Sequence, residues 1–357
     1  MPAELTAGAP PLAGDRTTRA RAVTLGLAAL LAALAAISLE VGAADASFLD
    51  LARAWAGGAP LDATSRVVLL DIRLPRLAMG VLVGAALAVS GAVMQGLFRN
   101  PLADPGLVGV GAGAGLGAIA AIVLAGLLPP AIGGALGHYA TPLAAFAGGW
   151  VSTLILYRVA TRQGRTSVAV MLLAGIALGA LAGALSGVLI YMADDAQLRD
   201  LTFWGLGSLA GASWTKLAAA APLILAALAA APLLARGLNG LALGEGAAMH
   251  LGVRVQRVKS AAVLTVAAAA GAAVAASGGI GFIGIVAPHL LRLTIGPDHR
   301  WLLPASALFG AALLVGADMV SRTLVAPAEL PIGIVTAAVG GPFFLWILLR
   351  NRATLDL

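Results

Sequence analysis

The chain has 357 residues, of which 60% are apolar and only 11% charged, and its mean hydropathy is +0.98. Soluble domains carry about 25% charged residues, so this chain has too few charges to coat a soluble surface and its natural solvent is lipid. Cysteine is absent, which excludes disulfides, zinc–thiolate sites and iron–sulfur clusters, and the formal charge of +6 reads as basic loops beside a membrane, not as nucleic-acid binding.

In lipid the backbone must satisfy its own hydrogen bonds, so only helices or closed barrels span. Barrel strands alternate with period two, whereas this chain has long unbroken apolar runs. The pattern predicts an all-α membrane protein with about ten transmembrane helices, at 22–39, 74–97, 107–127, 140–160, 168–192, 215–235, 260–277, 280–296, 302–324 and 331–349. Residues 1–21 and 350–357 are the tails of the 22–349 membrane domain, and 236–259 is its longest loop. Small residues let membrane helices approach closely, as Gly111-x-x-x-Gly115 and Gly175-x-x-x-Gly179 would, although such spacings also arise by chance in a chain with 46 glycines.

Lysine and arginine placement sets the orientation. With the N-terminus inside, 15 cations fall in inside loops and seven outside, the latter being Arg53, Arg66, Arg73, Arg76, Arg199, Lys216 and Arg322. Both termini are then cytoplasmic. Three arginines before the first apolar run and Ala44-Asp45-Ala46 after it outline a cleaved signal sequence. That run is longer than a usual signal core, and cleavage would leave nine spans, so the first span is read as retained. Ser90-Gly91 with Pro101 recurs as Ser277-Gly278 with Pro288, at an offset of 187. The two copies lie in oppositely directed segments, as in an inverted repeat of two helical halves.

No enzyme signature appears. A phosphate-binding loop needs Gly-Lys-Ser/Thr, but the only lysines, Lys216 and Lys259, follow Thr215 and Val258. Ion-coupled carriers place ionisable groups at mid-membrane. Here only Asp318 and Arg322 fall within a span, one turn apart, where they pair on one face. A pore without proton relays is driven from outside the chain, which disfavours an ion-coupled secondary transporter. In the 236–259 loop, Leu241 to Leu251 reads as a short amphipathic helix followed by Gly252 at a capping position. Flanked by Arg236, Arg254, Arg257 and Lys259, it suits docking to a protein or to anionic lipid heads.

Four blocks then carry a resemblance: Arg73-Leu-Pro-Arg76 running into 80–109, the 241–253 loop, 277–304 and 329–350. In that order they resemble the FecCD family, permeases of type II ABC importers for haem, ferric siderophores and cobalamin. The resemblance implies a homodimeric permease in the bacterial inner membrane, with the pathway on the dyad, two ATPase subunits below and a periplasmic binding protein above. No cofactor is implied on this chain; ATP and magnesium belong to the partner ATPase. The family roles map onto four sets. Leu241, Leu243, Gly244, Glu245, Met249, His250, Leu251 and Gly252 form the ATPase coupling loop. Arg73, Arg76 and Arg322 receive acidic knobs of the binding protein, where the alternative is arginines that merely snorkel to the interface. Asn100, Leu102, Thr166 and Ser167 narrow the cytoplasmic gate, although Asn100-Pro101 is equally plain helix-breaking chemistry. Gly175, Gly179, Gly183 and Ser186 of the fifth span line the pathway.

Phe203 to Leu209 with Ala212-Ser213-Trp214 resembles the haem branch more than the cobalamin branch, and ferric siderophore permeases share parts of it. Haem ligation by a histidine is disfavoured: His250 and His299 fall on the cytoplasmic side, His289 lies in a block shared across branches, and only His138 is outside. Tyr191 and Met192, at the outer end of the fifth span, are further candidates.

Overall fold

The computed structural model describes residues 16–42, 61–127 and 136–350, with isolated residues at 47, 49, 53, 54, 56, 57 and 129. The Ala44-Asp45-Ala46 site and most of both expected tails lie outside the described residues. All ten expected apolar segments are helical: α1 (Thr17–Glu40), α2 (Ala63–Phe98), α3 (Val110–Val123), α4 (Ala140–Ala160), α5 (Val168–Met192), α7 (Trp214–Ala230), α10 (Val255–Ser277), α11 (Ile283–Ile295), α12 (His299–Thr323) and α13 (Ile332–Arg350). Three shorter helices accompany them: α6 (Asp195–Leu206), α8 (Ala235–Ala242) and α9 (Glu245–His250). The only strands among the described residues are β1 (Thr161–Arg162) and β2 (Arg165–Thr166), an antiparallel hairpin pairing Thr161 with Thr166. Two faces result. The hairpin face carries 161–167, 243–254 and 296–299; the opposite face carries the C-terminal end of α1, the start of α2 and the end of α12.

Helix α2 is the axis of the molecule. Toward the hairpin face Val93, Met94 and Leu97 join a core with Leu238, Val263, Leu291 and Leu302. Toward the opposite face Met79, Val83 and Leu87 join a second core with Ile224, Ala273, Ile283 and Leu314. Lipid tails are as apolar as leucine, so close van der Waals contact, not water exclusion, must hold such helices together. Glycine supplies it. A Cβ on Gly84 would stand 2.4 Å from the Gly310 carbonyl oxygen of α12, and one on Gly91 only 1.7 Å from that of Gly284 in α11. Gly91 is mid-helix, whereas Gly278 ends α10 with φ +72. The two copies of the Ser-Gly pair therefore sit in different backbone settings.

Several expectations need correction. The third and eighth spans are shorter as α-helices than 107–127 and 280–296: tighter 3-10 turns at Pro105–Val108 and Ala125–Leu127 flank α3, and non-helical backbone at 278–282 precedes α11. Pro105 packs at Gly284, which also lies beside the Leu87 carbonyl about two thirds of the way along α2. The 99–109 segment thus folds back to that depth before α3 starts. The expected contact motif on α3 is on the wrong face. Gly111 and Gly115 meet nothing within 4 Å, while Gly113 and Gly117 abut Gly148 and Ala144 of α4. A step of two residues turns a helix by about 200°, so the glycine pattern was real but its face was not assignable from spacing. Gly179 likewise has open space beside it. Helix α6 was not expected. Asp194 caps it by accepting from Gln197 N at 2.8 Å, and Gln197 returns a bond to the Asp194 backbone N–H. That capping box, Asp-x-x-Gln, was the available signal.

These contacts set a first test. Gly91→Ala is expected to destabilise the protein by at least about 3 kcal/mol through overpacking, or to abolish folding. Gly183→Ala, on the open side of α5, is expected to leave the melting temperature in detergent unchanged. Equal melting of the two variants would refute the glycine-contact account.

Candidate functional site

On the opposite face, three arginines converge from two helices. Arg76 presents its guanidinium edge to Asp318, with Nε–Oδ1 at 3.0 Å and Nη2–Oδ1 at 2.9 Å. Its outer nitrogens donate to Glu329, Nη1–Oε1 at 2.8 Å and Nη2–Oε2 at 2.9 Å. Arg76 thus bridges two carboxylates with bidentate, charge-assisted bonds. Arg322 donates to the Ser38 carbonyl and hydroxyl, each at 2.7 Å, and its Nε lies 3.6 Å from Asp318. Arg73 donates to the Leu39 and Glu40 carbonyls. The end of α1 is therefore tied to α2 and α12 by arginines that satisfy its last carbonyls. A cavity of about 190 Å³ opens beside Arg73, Arg76, Arg322 and Glu329.

These arginines do not form an open basic patch. Arg73, Arg76 and Arg322 are 5%, 7% and 9% exposed, and the reason is charge economy in an apolar setting. A buried guanidinium needs carboxylates or carbonyls around it, and Asp318, Glu329 and the α1 terminus provide them. Asp318 does lie near Arg322, as expected, but its main partner is Arg76, 242 residues away in sequence. Spacing along one helix could not reveal it.

The hairpin face holds the second set. Residues 241–251 do not form one helix, as expected, but two. Helix α8 ends at Ala242, and Gly244 turns the chain with φ +102, a conformation open to glycine at little cost. Helix α9 follows to His250, and Gly252, φ +79, ends the segment as a capping glycine. Leu241 is buried, but Leu243, Met249 and Leu251 are 68%, 61% and 65% exposed. Three exposed apolar side chains thus stand on this segment beside the polar Glu245 and His250. Glu245 pairs with Lys259, Nζ–Oε1 2.8 Å, and His250 is exposed.

Next to this loop, Thr166 is buried. Its N–H donates to Gln256 Oε1 at 2.8 Å, and its carbonyl accepts from Lys259 Nζ at 2.7 Å. Ser167 caps α5 by accepting from Val170 N. Asn100 is exposed, and its Oδ1 accepts from Leu102 N at 2.9 Å in the turn after α2. Among the described residues no hydrogen bond joins Asn100 or Leu102 to Thr166 or Ser167, so the four residues are not a closed set within one protomer. Asp298 caps α12. Burial pushes its carboxyl up, but bonds from Arg300 and Asn239 outweigh this and hold it below the usual aspartate range.

Along α5, Gly175 is buried, Gly179 and Ser186 are half-buried, and Gly183 is exposed. The helix carries an apolar surface of Leu173, Ile176, Leu181 and Leu185 that no element of this protomer covers. Tyr191 and Met192 are exposed at its end. Among the described residues the histidines do not converge. His289 and His299 are buried, and His299 Nδ1 pairs with Asn239 Oδ1 at 2.8 Å; the His138 side chain lies outside the described residues. The Phe203–Leu209 block also has a structural task. Gly279 N donates to the Trp204 carbonyl, Ser208 N to Ser277 and Ile332 N to Gly207. It closes the break between α10 and α11. Gln256 and Glu329, which complete the two polar clusters, were not singled out by sequence reasoning, because their partners are distant in the chain.

The fold and these sites define a multi-pass helical membrane protein with its charges held at the two faces and a loop bearing exposed apolar side chains on one of them. The comparisons with known proteins agree. The model of the FecCD transport family matches residues 30–350. The hemin transport system permease protein HmuU of Yersinia pestis is 49% identical over 323 residues, covering 90% of this chain and 94% of that one. The cobalamin import system permease protein BtuC of Halobacterium salinarum is 41% identical, covering 90% and 88%. A solved structure described as an inward-facing conformation of a metal-chelate type ABC transporter superposes with a TM-score of 0.81 at 31% identity, covering 92% of this chain and 99% of that one. The chain belongs to the FecCD transport family and is an ABC importer permease of that type.

The arginine cluster sets a second test. Asp318→Asn leaves Arg76 and Arg322 buried with one carboxylate fewer. It is expected to cost about 3–5 kcal/mol, the usual penalty for breaking a buried pair, read as a lower melting temperature or loss of folded protein in detergent. Wild-type melting would show that the cluster is not structural.

Proposed function

We propose that the chain is the translocation subunit of an ATP-driven importer that carries haem from the periplasm to the cytoplasm across a bacterial inner membrane. The observation that carries the haem reading is the 49% identity to a hemin permease across 94% of that protein's length. The cobalamin permeases support a second reading within the same importer class, with cobalamin as cargo, and a ferric siderophore is the third chelate of that class. Energy enters through a separate ATPase. An ion-coupled secondary transporter would need ionisable relays at mid-membrane, and the charges described above cluster at the ends of the helices instead.

The hairpin face is cytoplasmic in this reading, supported by its excess of arginine. Leu243, Met249 and Leu251 supply the apolar knobs of the coupling loop that seats in the ATPase. The uncovered ridge of α5 supports a second copy of the chain across a dyad, with Gly175, Gly179, Gly183 and Ser186 beside the pathway. Asn100, Leu102, Thr166 and Ser167 narrow its cytoplasmic end once both copies are present. At the periplasmic face an acidic knob of the binding protein enters the cavity beside Arg73, Arg76 and Arg322. There it competes with Glu329, the more exposed of the two carboxylates on Arg76.

ATP-dependent uptake into proteoliposomes tests the reading, with the chain reconstituted beside its ATPase and binding protein and offered haem, cobalamin and a ferric siderophore in parallel. Haem uptake that requires ATP is the expected result. ATP-dependent uptake of another chelate alone moves the substrate and keeps the mechanism, whereas gradient-driven uptake without the ATPase overturns it. The docking role makes a separate prediction. Glu329→Gln removes the competing carboxylate and is expected to tighten binding-protein affinity about two- to fivefold, the equivalent of about 0.4–1 kcal/mol for a partly exposed pair. Unchanged or weaker binding would count against docking at this cavity.

A further inference from the structure

Lys259 lies in the second turn of α10 and is 2% exposed. Its ammonium has two partners on two different segments: Glu245 Oε1 on α9 at 2.8 Å and the Thr166 carbonyl at the end of the hairpin at 2.7 Å. One turn earlier, Gln256 accepts from the N–H of the same Thr166 at 2.8 Å. Both backbone groups of Thr166 are therefore held by α10. Ser167, the next residue, caps α5, so the start of α5 follows Thr166. Among the described residues no hydrogen bond runs directly between 243–253 and 161–167. The polar link between the two segments passes through Lys259.

We propose that Lys259 is the strut that transmits displacement of the coupling loop to the start of α5, and so to the pathway. This inference rests on the importer reading above. The physical reason is the cost of an unpaired buried charge. An ammonium removed from water and stripped of its carboxylate is strongly disfavoured. When α9 shifts with a docked ATPase, Lys259 keeps Glu245 by moving with it, and its bond to the Thr166 carbonyl carries the hairpin along. A neutral side chain of the same length would fill the space without that constraint, and the two segments would slip past each other. Lys259 is a positioning residue, since it touches neither nucleotide nor cargo.

The test uses the complete complex of permease, ATPase and binding protein in proteoliposomes, with haem, cobalamin and a ferric siderophore supplied together as probes. Uptake and ATP hydrolysis are measured side by side. Lys259→Met is expected to keep ATP hydrolysis near the wild-type rate while uptake per ATP falls about tenfold or more, within the usual range of coupling between sites. Lys259→Arg, which can still donate to both partners, is expected to restore most of the coupling. Glu245→Ala, on a partly exposed side chain, cuts only the α9 end and is expected to lower uptake per ATP in the same sense. Lys259→Met with wild-type uptake per ATP overturns the proposal. If Lys259→Met fails to fold, Glu245→Ala decides, and wild-type uptake per ATP in that variant overturns it equally. Absence of ATP-dependent uptake in the wild type would instead overturn the importer reading, so the two failures are distinguishable.

Discussion

Backbone against backbone at Gly84 and Gly91 is the contact on which the molecule depends. A helix in lipid gains little by hiding leucine from its neighbours, so it must gain by approaching closely. At Gly84 and Gly310 the two chains meet with no side chain between them, and at Gly91 the Gly284 carbonyl occupies the place a Cβ would take. This lets α2 pack on α11 and α12 together and gives both halves of the core a common wall. The abundance of glycine and alanine is therefore a packing requirement more than a composition bias.

The charged groups follow from the same constraint. With an apolar middle, polar strength is concentrated where water is near. On one face Arg76, Asp318 and Glu329 lock α2 to α12 and to the 324–331 turn, while Arg73 and Arg322 clasp the end of α1. On the other, Lys259, Gln256 and Glu245 gather the hairpin and the 243–251 segment around α10. The interior is left to small and apolar residues, and the two polar clusters sit at the two faces.

The ten helices were legible because each needs an apolar run of about 20 residues, and such runs stand out against the basic loops. What sequence did not reveal were features decided by three-dimensional partners. The contact face of α3 depended on whether Gly111 or Gly113 meets α4. The burial of Arg73, Arg76 and Arg322 depended on Asp318 and Glu329, carboxylates roughly 250 residues away from Arg76 that no local rule connects to it. The break at Leu243-Gly244 was hidden because its flanks are both helical, and only the backbone angle of Gly244 separates them. Helix α6 did carry a local signal, the Asp194–Gln197 capping box, in a stretch too polar to be read as a span.

The short helices α3 and α11 have a consequence for how this architecture diversifies. Between them lies a cavity of about 350 Å³ whose lining includes Pro105, Gly106, Gly205, Gly279, Gly281 and Gly284. On one side of this hollow the main chain at Gly279 to Phe282 is unwound between α10 and α11, and helices supply most of the rest of the lining. That unwound stretch is set by the course of the main chain and is not rewritten by ordinary point substitution. Hereditary drift can therefore alter the side chains around this hollow while the unwound stretch beside it passes unchanged to descendants.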